Sequence, residues 1–361
     1  MTGIGLVGAG IIAGEHARAV ADLGERARLV AVADLSPEHL GAAAERYDIP
    51  FAYADHRALL ERDDVDVVAV CTPPCAHEEV VADALAAGKH VLCEKPLAHT
   101  LEGADRMVDE AAAHPGRLSV VHQFRWLPEV RRAVWLRDHG GLGPLLSGTF
   151  WRHARFNRPG KPQRRAWWGA WGVAGGGAVM TQLIHELDLM LHLYGPAAEV
   201  SAVVDTLKQS IESEDTCAAT IRFASGALVV VQGTMNAHRS TAGFDVIGTL
   251  GSAHSPWSFE SMDRGHRDAC RSAALEACPD PAPDAESSAH TPYLRAVLDA
   301  LDAGAPLPVG PEDARRAVEL CAAIYESALS GTTVTLPLDA GSSVYDGVGA
   351  ERYAERAGVP A

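Results

Sequence analysis

Along the first 120 residues, short apolar runs alternate with stretches whose apolar positions recur every three or four residues. Ile4-Gly5-Leu6-Val7 reads as a strand, and Ile12, Ala19, Val20 and Leu23 then follow at helical spacing. Leu29–Ala33 is a second strand, ending at Asp34. Residues 37–47 read as a helix with Pro37 in its first turn. Val65–Val70 is a third strand, and residues 78–87 form a helix stopped by Gly88. Val91–Cys93, the helix 100–113 and the strand 118–121 complete the series. Strands separated by helices predict βαβ units around a parallel sheet buried on both faces.

After about residue 122 the pattern changes. Residues 216–223 alternate apolar and polar, Ala224-Ser225-Gly226 interrupts, and the alternation resumes from 227 to 235. This is a hairpin, and it predicts an antiparallel sheet. Residues 146–153, 199–207 and 244–250 are further strand candidates. One long helix is expected from about 178 to 194, closed by Gly195-Pro196, with later helices at 292–302 and 311–329. Cys278–Ser288 is Pro-rich and acidic and reads as a surface loop. The expected division is an α/β domain over 1–121, an α+β domain over 122–338 and a tail over 339–361. The C-terminal helices are able to pack back on the first domain.

Composition narrows the function classes. The chain has 361 residues, enough for two domains with a large core, and its formal charge is −16. An acidic surface repels phosphate backbones, so nucleic acid is not an expected partner, while a phosphate-bearing cofactor held by main chain remains compatible. The seven cysteines are scattered and no C-x-x-C occurs. A reducing cytoplasm fits better than a disulfide framework or a zinc site. The apolar N-terminal run has no cationic leader and no stretch reaches about 18 apolar residues, so neither a signal peptide nor a membrane span is expected.

Gly8-Ala9-Gly10-Ile11-Ile12-Ala13 is a G-x-G-x-x-A between a strand and a helix. Gly8 permits the tight turn and Gly10 lets main chain approach a pyrophosphate. Ala13 allows close helix packing, and the helix N-terminus faces the anion. Asp34, at the end of the next strand, supplies a carboxylate for the adenosine ribose and disfavours a 2′-phosphate, which points to NAD over NADP. The alternative for Asp34 is a cap on the following helix.

Ligands of open α/β sheets bind beyond the carboxyl ends of the strands. Two such ends are chemically unusual: Cys71-Thr72-Pro73-Pro74 with His77, and Glu94-Lys95-Pro96. Proline restricts the residue before it to extended backbone, which aims Lys95 off a strand terminus. Partial desolvation there makes a lysine a usable proton donor, while a salt-bridged structural lysine fits the spacing equally well.

Three stretches, "GLVGAGIIA", "VVAVCTPPCAHEEVVADALAAGKHVLCEKPLA" and "GGGAVMTQLIHELDLMLHLYG", together with the ending "LCAAIYESALSGTTVTLPL", resemble the glucose–fructose oxidoreductase / inositol dehydrogenase / rhizopine-catabolism (Gfo/Idh/MocA) family. The resemblance runs from about residue 3 to 338. It implies an α/β Rossmann domain followed by an α+β domain with a large open, mostly antiparallel sheet. It also implies NAD(P)-dependent dehydrogenase or reductase activity on sugars or cyclitols, and a homodimer or homotetramer. Carried over by motif, Lys95 matches the catalytic lysine and His185 the catalytic histidine. Gly8, Gly10, Ile11, Ile12, Asp34, Thr72, Pro73, His77, Glu94, Lys95 and Pro96 match the cofactor side. Lys95, Arg125, Trp126, Trp168, Thr181 and His185 are expected on the substrate side, and no metal is expected. Many members carry an aspartate four residues before the histidine, where this chain has Thr181, which cannot carry charge at neutral pH.

On the expected helix, Thr181, His185, Asp188 and His192 share one face. Asp188 reads as a structural partner. Trp167, Trp168 and Trp171 suit a sugar ring, the core or a subunit interface. Arg152, Arg155, Arg158, Lys161, Arg164 and Arg165 suit either an anion or acidic surface elsewhere. The expected activity is hydride exchange between NAD and a carbinol or ketone of a sugar or cyclitol, with Lys95 and His185 handling the proton. The alternatives are a lyase or epimerase using bound NAD, and a non-catalytic NAD- or metabolite-binding module.

Overall fold

The computed structural model describes residues 1–156, 166–280 and 288–357. Arg158, Lys161, Arg164 and Arg165, and the middle of the Pro-rich acidic loop, lie outside the described residues. The chain divides into two compact units. The first takes Met1–Ala98, Gly103–Gln123 and Pro281–Arg315. The second takes His99–Glu102, Phe124–Asp280 and Arg316–Ala361. A segment near residue 300 thus belongs with the N-terminal sequence, and residues 339–357 belong with the second unit.

The first unit is built on a six-stranded parallel sheet. Its strands are β1 (Thr2–Val7), β2 (Ala27–Ala33), β3 (Phe51–Tyr53), β4 (Val67–Val70), β5 (His90–Cys93) and β6 (Leu118–Val120), in the order β3-β2-β1-β4-β5-β6. The helices α1 (Ala13–Asp22), α2 (Pro37–Arg46), α3 (His56–Leu60), α4 (His77–Ala86) and α5 (Leu101–Ala112) follow successive strands. β4 is buried at every position, as a strand with both faces covered requires. The strand order reverses between β1 and β4, and the crevice beyond such a reversal is where open α/β sheets hold ligands. The loops after β1, β4 and β5 carry the glycine turn, the Cys71–Pro74 stretch and Glu94-Lys95-Pro96.

The second unit is built on an eight-stranded sheet. Its strands are β7 (Leu145–Arg155), β8 (Ala197–Asp205), β9 (Thr216–Phe223), β10 (Leu228–Thr234), β11 (Asn236–Gly248), β12 (Ser252–His254), β13 (Ser258–Glu260) and β14 (Val334–Thr335). Their order is β13-β12-β11-β7-β10-β9-β8-β14, antiparallel throughout except that β7 and β10 run parallel. The predicted hairpin is β9–β10, turning at Gly226 with φ +91°. Alternate residues of β9 and β10 are buried and exposed, so one face packs inward and the other stays open. The inner face carries Phe150, Ile221, Val229, Val231 and Phe244, all buried. The helices of this part of the chain are α6 (Pro128–Asp138), α7 (Trp171–Ala174), α8 (Ile184–Tyr194) and α9 (Arg264–Ala277). They are followed by α10 (Thr291–Asp302), which belongs to the first unit, then α11 (Pro311–Ser330) and α12 (Ala350–Ala357).

The long helix expected from 178 to 194 is not uniform. Val179–Leu183 is π-helical and α8 proper begins at Ile184. A π-turn carries more residues than an α-turn, so the 3.6-residue spacing assumed for this stretch does not hold over Val179–Leu183.

Candidate cofactor and substrate site

In the first unit the glycine turn is fixed by its neighbours. Gly8 takes φ +95°, and a Cβ there would stand 2.7 Å from the main chain of Cys71. Only glycine meets both demands. The Gly8 N–H donates to the Ala33 carbonyl at 2.8 Å, and the Ala9 N–H donates to Asp34 Oδ2 at 2.6 Å. Asp34 Oδ1 accepts from the Ser36 N–H at 2.7 Å, while Ser36 itself caps α2. Asp34 therefore sits at the glycine turn, and the cap that the sequence left as its alternative role belongs to Ser36.

Three observations fit a dinucleotide here. A Cβ built on Gly10 meets nothing within 4 Å, so the turn leaves open space on that side. No side chain among the described residues caps the start of α1, and Ile11 beside it is exposed. The Thr72 hydroxyl oxygen, at the end of β4, is buried and has no hydrogen-bond partner among the described residues. A buried orphan hydroxyl at a strand end is a group that a polar ligand would satisfy.

Around this turn several side chains face inward. His77 is fully buried, with Nδ1 at 2.9 Å from the Pro96 carbonyl and Nε2 at 3.0 Å from the Thr72 carbonyl. Burial lowers its pKa, so the ring is neutral and donates to one of these carbonyls at a time. It ties the end of β4 to the E-K-P turn, whose Lys95–Pro96 peptide is cis. Glu94 is also buried, and His16 and His290 both bond to it. The Cys71 thiol is pushed up by burial.

In the second unit, His185 is the second residue of α8 and is 7% exposed. Its ring stacks on Phe124 at 4.4 Å, and the Arg152 guanidinium stands 4.7 Å over the same Phe124 ring. Arg152 in turn makes a two-pronged ion pair with Glu186, both bonds 2.6 Å. Arg125, in the turn Gln123–Trp126 that also holds Trp126, pairs with the buried Asp188 through Nε at 2.9 Å and Nη2 at 2.7 Å. α8 thus carries two buried carboxylates, each satisfied by a forked guanidinium, on either side of one turn beginning at His185. The Thr181 hydroxyl donates to the Gly177 carbonyl at 2.6 Å, a bond back into its own helix.

The tryptophans divide. Trp171 is buried, packs on Tyr325 and Tyr353, and donates from its indole N–H to the Glu212 carbonyl. Trp168 is half-buried and packs against Phe156 and Trp167. Within the first unit the structure gathers Gly8, Asp34, Thr72, His77 and Glu94 at neighbouring strand ends. Within the second it gathers Arg125, Asp188 and His185 on and against one helix. Lys95 belongs to the first unit and His185 to the second. Sequence reasoning missed His16, His290, Phe124 and Glu186. Their partners lie too far along the chain for spacing to reveal: 78 residues separate His16 from Glu94, and 196 separate His290 from it.

Both parts of the chain match known families. Residues 2–122 match the family described as "Oxidoreductase family, NAD-binding Rossmann fold", and residues 130–254 match the "GFO/IDH/MocA C-terminal domain". The chain is 32% identical over 263 residues to an inositol 2-dehydrogenase of Burkholderia cenocepacia, covering 70% of this chain and 73% of that protein. It is 29% identical to the levoglucosan dehydrogenase of Pseudarthrobacter phenanthrenivorans over 69% of this chain and 72% of that one. Among solved structures, a levoglucosan dehydrogenase in complex with NADH superposes with a TM-score of 0.79 at 25% identity, covering 94% and 100% of the two chains. The WlbA dehydrogenase from Bordetella pertussis in complex with NADH and UDP-GlcNAcA gives 0.77 at 28% identity, covering 93% and 99%. An NAD-binding Rossmann unit, a mostly antiparallel second sheet and these likenesses together place the chain in the GFO/IDH/MocA family of oxidoreductases.

Proposed function

We propose that this protein is a dehydrogenase or reductase of a sugar, a cyclitol or a sugar derivative, with Lys95 and His185 handling the proton on the reacting oxygen. The observation that carries the reading is the pairing of a pyrophosphate-compatible glycine turn with a clamped lysine two strands away. β1, β4 and β5 are sheet neighbours, and Gly10 and Lys95 follow β1 and β5. Bound NAD supplies hydride acceptance and return. Gly8, Gly10, Ile11 and Ile12 form its main-chain cradle, and Asp34 favours NAD over NADP. Thr72, Pro73, His77, Glu94 and Pro96 shape the adjoining strand ends.

The residues divide the remaining work. Lys95 gives or takes the proton of the reacting hydroxyl or carbonyl, which lowers the cost of charge building on that oxygen. His185, oriented by its stack on Phe124, shares that proton or fixes the oxygen that carries it. Arg125 and Trp126 border the substrate, with Arg125 set by Asp188. Trp168 and Thr181 contribute walls rather than charge. Relatives named for levoglucosan and inositol support a polyhydroxylated ring as substrate.

The reading includes a homodimer or homotetramer. The open face of the second sheet exposes Val203, Leu228 and Val230, an apolar surface suited to a second copy. A solution mass equal to the 38.1 kDa of one chain would exclude this.

Incubation with NAD and a panel of sugars, inositols, amino-cyclitols and sugar nucleotides tests the function itself. The expected result is net formation of NADH, read at the reduced-cofactor absorbance band, matching the substrate consumed. Substrate conversion with no net NADH would replace this reading by a lyase or epimerase. Cofactor binding without conversion of any compound would replace it by a binding module.

A further inference from the structure

The Glu94 carboxylate is bonded on both oxygens inside the first unit. Oε1 accepts from His16 Nε2 at 2.9 Å and from His290 Nε2 at 3.1 Å. Oε2 accepts the main-chain N–H of Lys95 at 3.3 Å. All three side chains are buried. They come from α1, from the end of β5 and from the N-cap of α10, three segments remote in sequence. α10 is itself anchored to α1: the Thr291 hydroxyl donates to Asp22 Oδ2 at 2.5 Å, and the Ser288 hydroxyl donates to Glu15 Oε2 at 3.0 Å.

A buried carboxylate is costly unless it is charge-paired and hydrogen-bonded. Burial alone would push the Glu94 carboxyl up, but the His16 and His290 hydrogen bonds outweigh it and hold the group well below the usual carboxylate range. Burial likewise opposes a charged His16, and the neighbouring Cys71 and Glu94 outweigh it, raising His16 to about 9. The three side chains also resemble a metal donor set. However, the donors of a tetrahedral zinc site with bonds of about 2.0–2.1 Å stand about 3.3 Å apart. Here both nitrogens lie closer than that to one oxygen, at hydrogen-bond distance.

We propose that His290, acting with His16, is a positioning residue for Lys95. The two rings pin Glu94 Oε1, the carboxylate then holds the Lys95 main-chain N–H through Oε2, and the E-K-P turn is fixed in one conformation. His77 secures the other end of that turn at the Pro96 carbonyl. The catalytic consequence rests on Lys95 handling the proton; the structural consequence does not.

The chain has four lysines, Lys89, Lys95, Lys161 and Lys208, so selective ¹⁵N-lysine labelling gives four amide signals, with that of Lys95 assigned by its loss in Lys95→Arg. His290→Phe is expected to shift the Lys95 amide and speed its hydrogen exchange while leaving Lys89 and Lys208 in place. It is also expected to lower kcat roughly 10–100-fold, the scale of a misplaced catalytic group, with KM and NAD affinity little changed. His290→Gln, which keeps an N–H donor, is expected to restore both signals. If His290→Phe does not fold, His290→Asn, too short to reach Glu94, takes its place. An unmoved Lys95 amide, or an equal loss in His290→Gln, would overturn the proposal. So would stoichiometric zinc in the wild type that disappears in the variant. A shifted amide with unchanged kcat would uphold the positioning and instead remove Lys95 from the chemistry.

Discussion

Two glycines of one turn do opposite jobs, and substitution separates them. At Gly8 the positive φ and the nearby Cys71 main chain both penalise a side chain, so Gly8→Ala should destabilise the fold by about 1–3 kcal/mol. At Gly10 an added methyl meets no atom of the described residues within 4 Å, so Gly10→Ala should leave the melting temperature close to wild type. It should nonetheless weaken NAD binding by roughly tenfold or more, because the methyl occupies the pyrophosphate's approach. Calorimetric binding beside thermal unfolding reads both. An undiminished NAD affinity in Gly10→Ala would place the dinucleotide elsewhere. This turn was legible in the sequence because it is local: six consecutive residues encode it. The two strand ends were legible too, but the burial of His77 and Glu94 was not, because it depends on β4 and β5 lying side by side.

Among the elements, α8 and the π-helical segment ahead of it are tied to several buried charged groups. Glu214 is buried and accepts the Gly177 N–H at 3.1 Å, the Val179 N–H at 2.8 Å and the Tyr325 hydroxyl at 3.0 Å. It caps the entry to the segment that leads to His185. Burial pushes its carboxyl up to about 7, with these hydrogen bonds pulling the other way. In the unfolded chain the same group titrates near 4.5. Between about pH 4.5 and 7 the folded state therefore binds the proton that the unfolded state has released, and stability falls as pH rises. The contribution is complete below that window and gone above it. Glu214→Gln, neutral at every pH, should flatten this fall in urea-unfolding free energies measured from pH 5 to 8. Parallel curves for the two proteins would contradict the assignment.

The same scale shows where sequence patterns stop. Periodicity located β1, β2, β4, β5, the β9–β10 hairpin and α8 because each has a clear buried face. It missed α9, in which Ala274 alone is buried, and β3, a three-residue edge strand without a buried position. The π-turn at Val179–Leu183 also escaped it, since an inserted residue leaves no mark on an apolar run.

At the scale of the whole molecule, chain order and spatial order diverge. Residues 281–315 complete the unit that begins at Met1, which is how His290 comes to share a carboxylate with His16. No helix among the described residues is long and apolar enough to cross a membrane. The family follows from the matched sequence regions, while the division of proton handling between Lys95 and His185 is a statement about kinetics. A double-mutant cycle on those two residues, with NAD affinity measured alongside, tests it most directly. Lys95→Ala and His185→Ala should each lower kcat roughly 10²–10⁴-fold with NAD binding nearly intact. The double variant should be little worse than the poorer single one, as expected for groups serving one proton. Losses that multiply, or turnover retained without Lys95, would contradict the account.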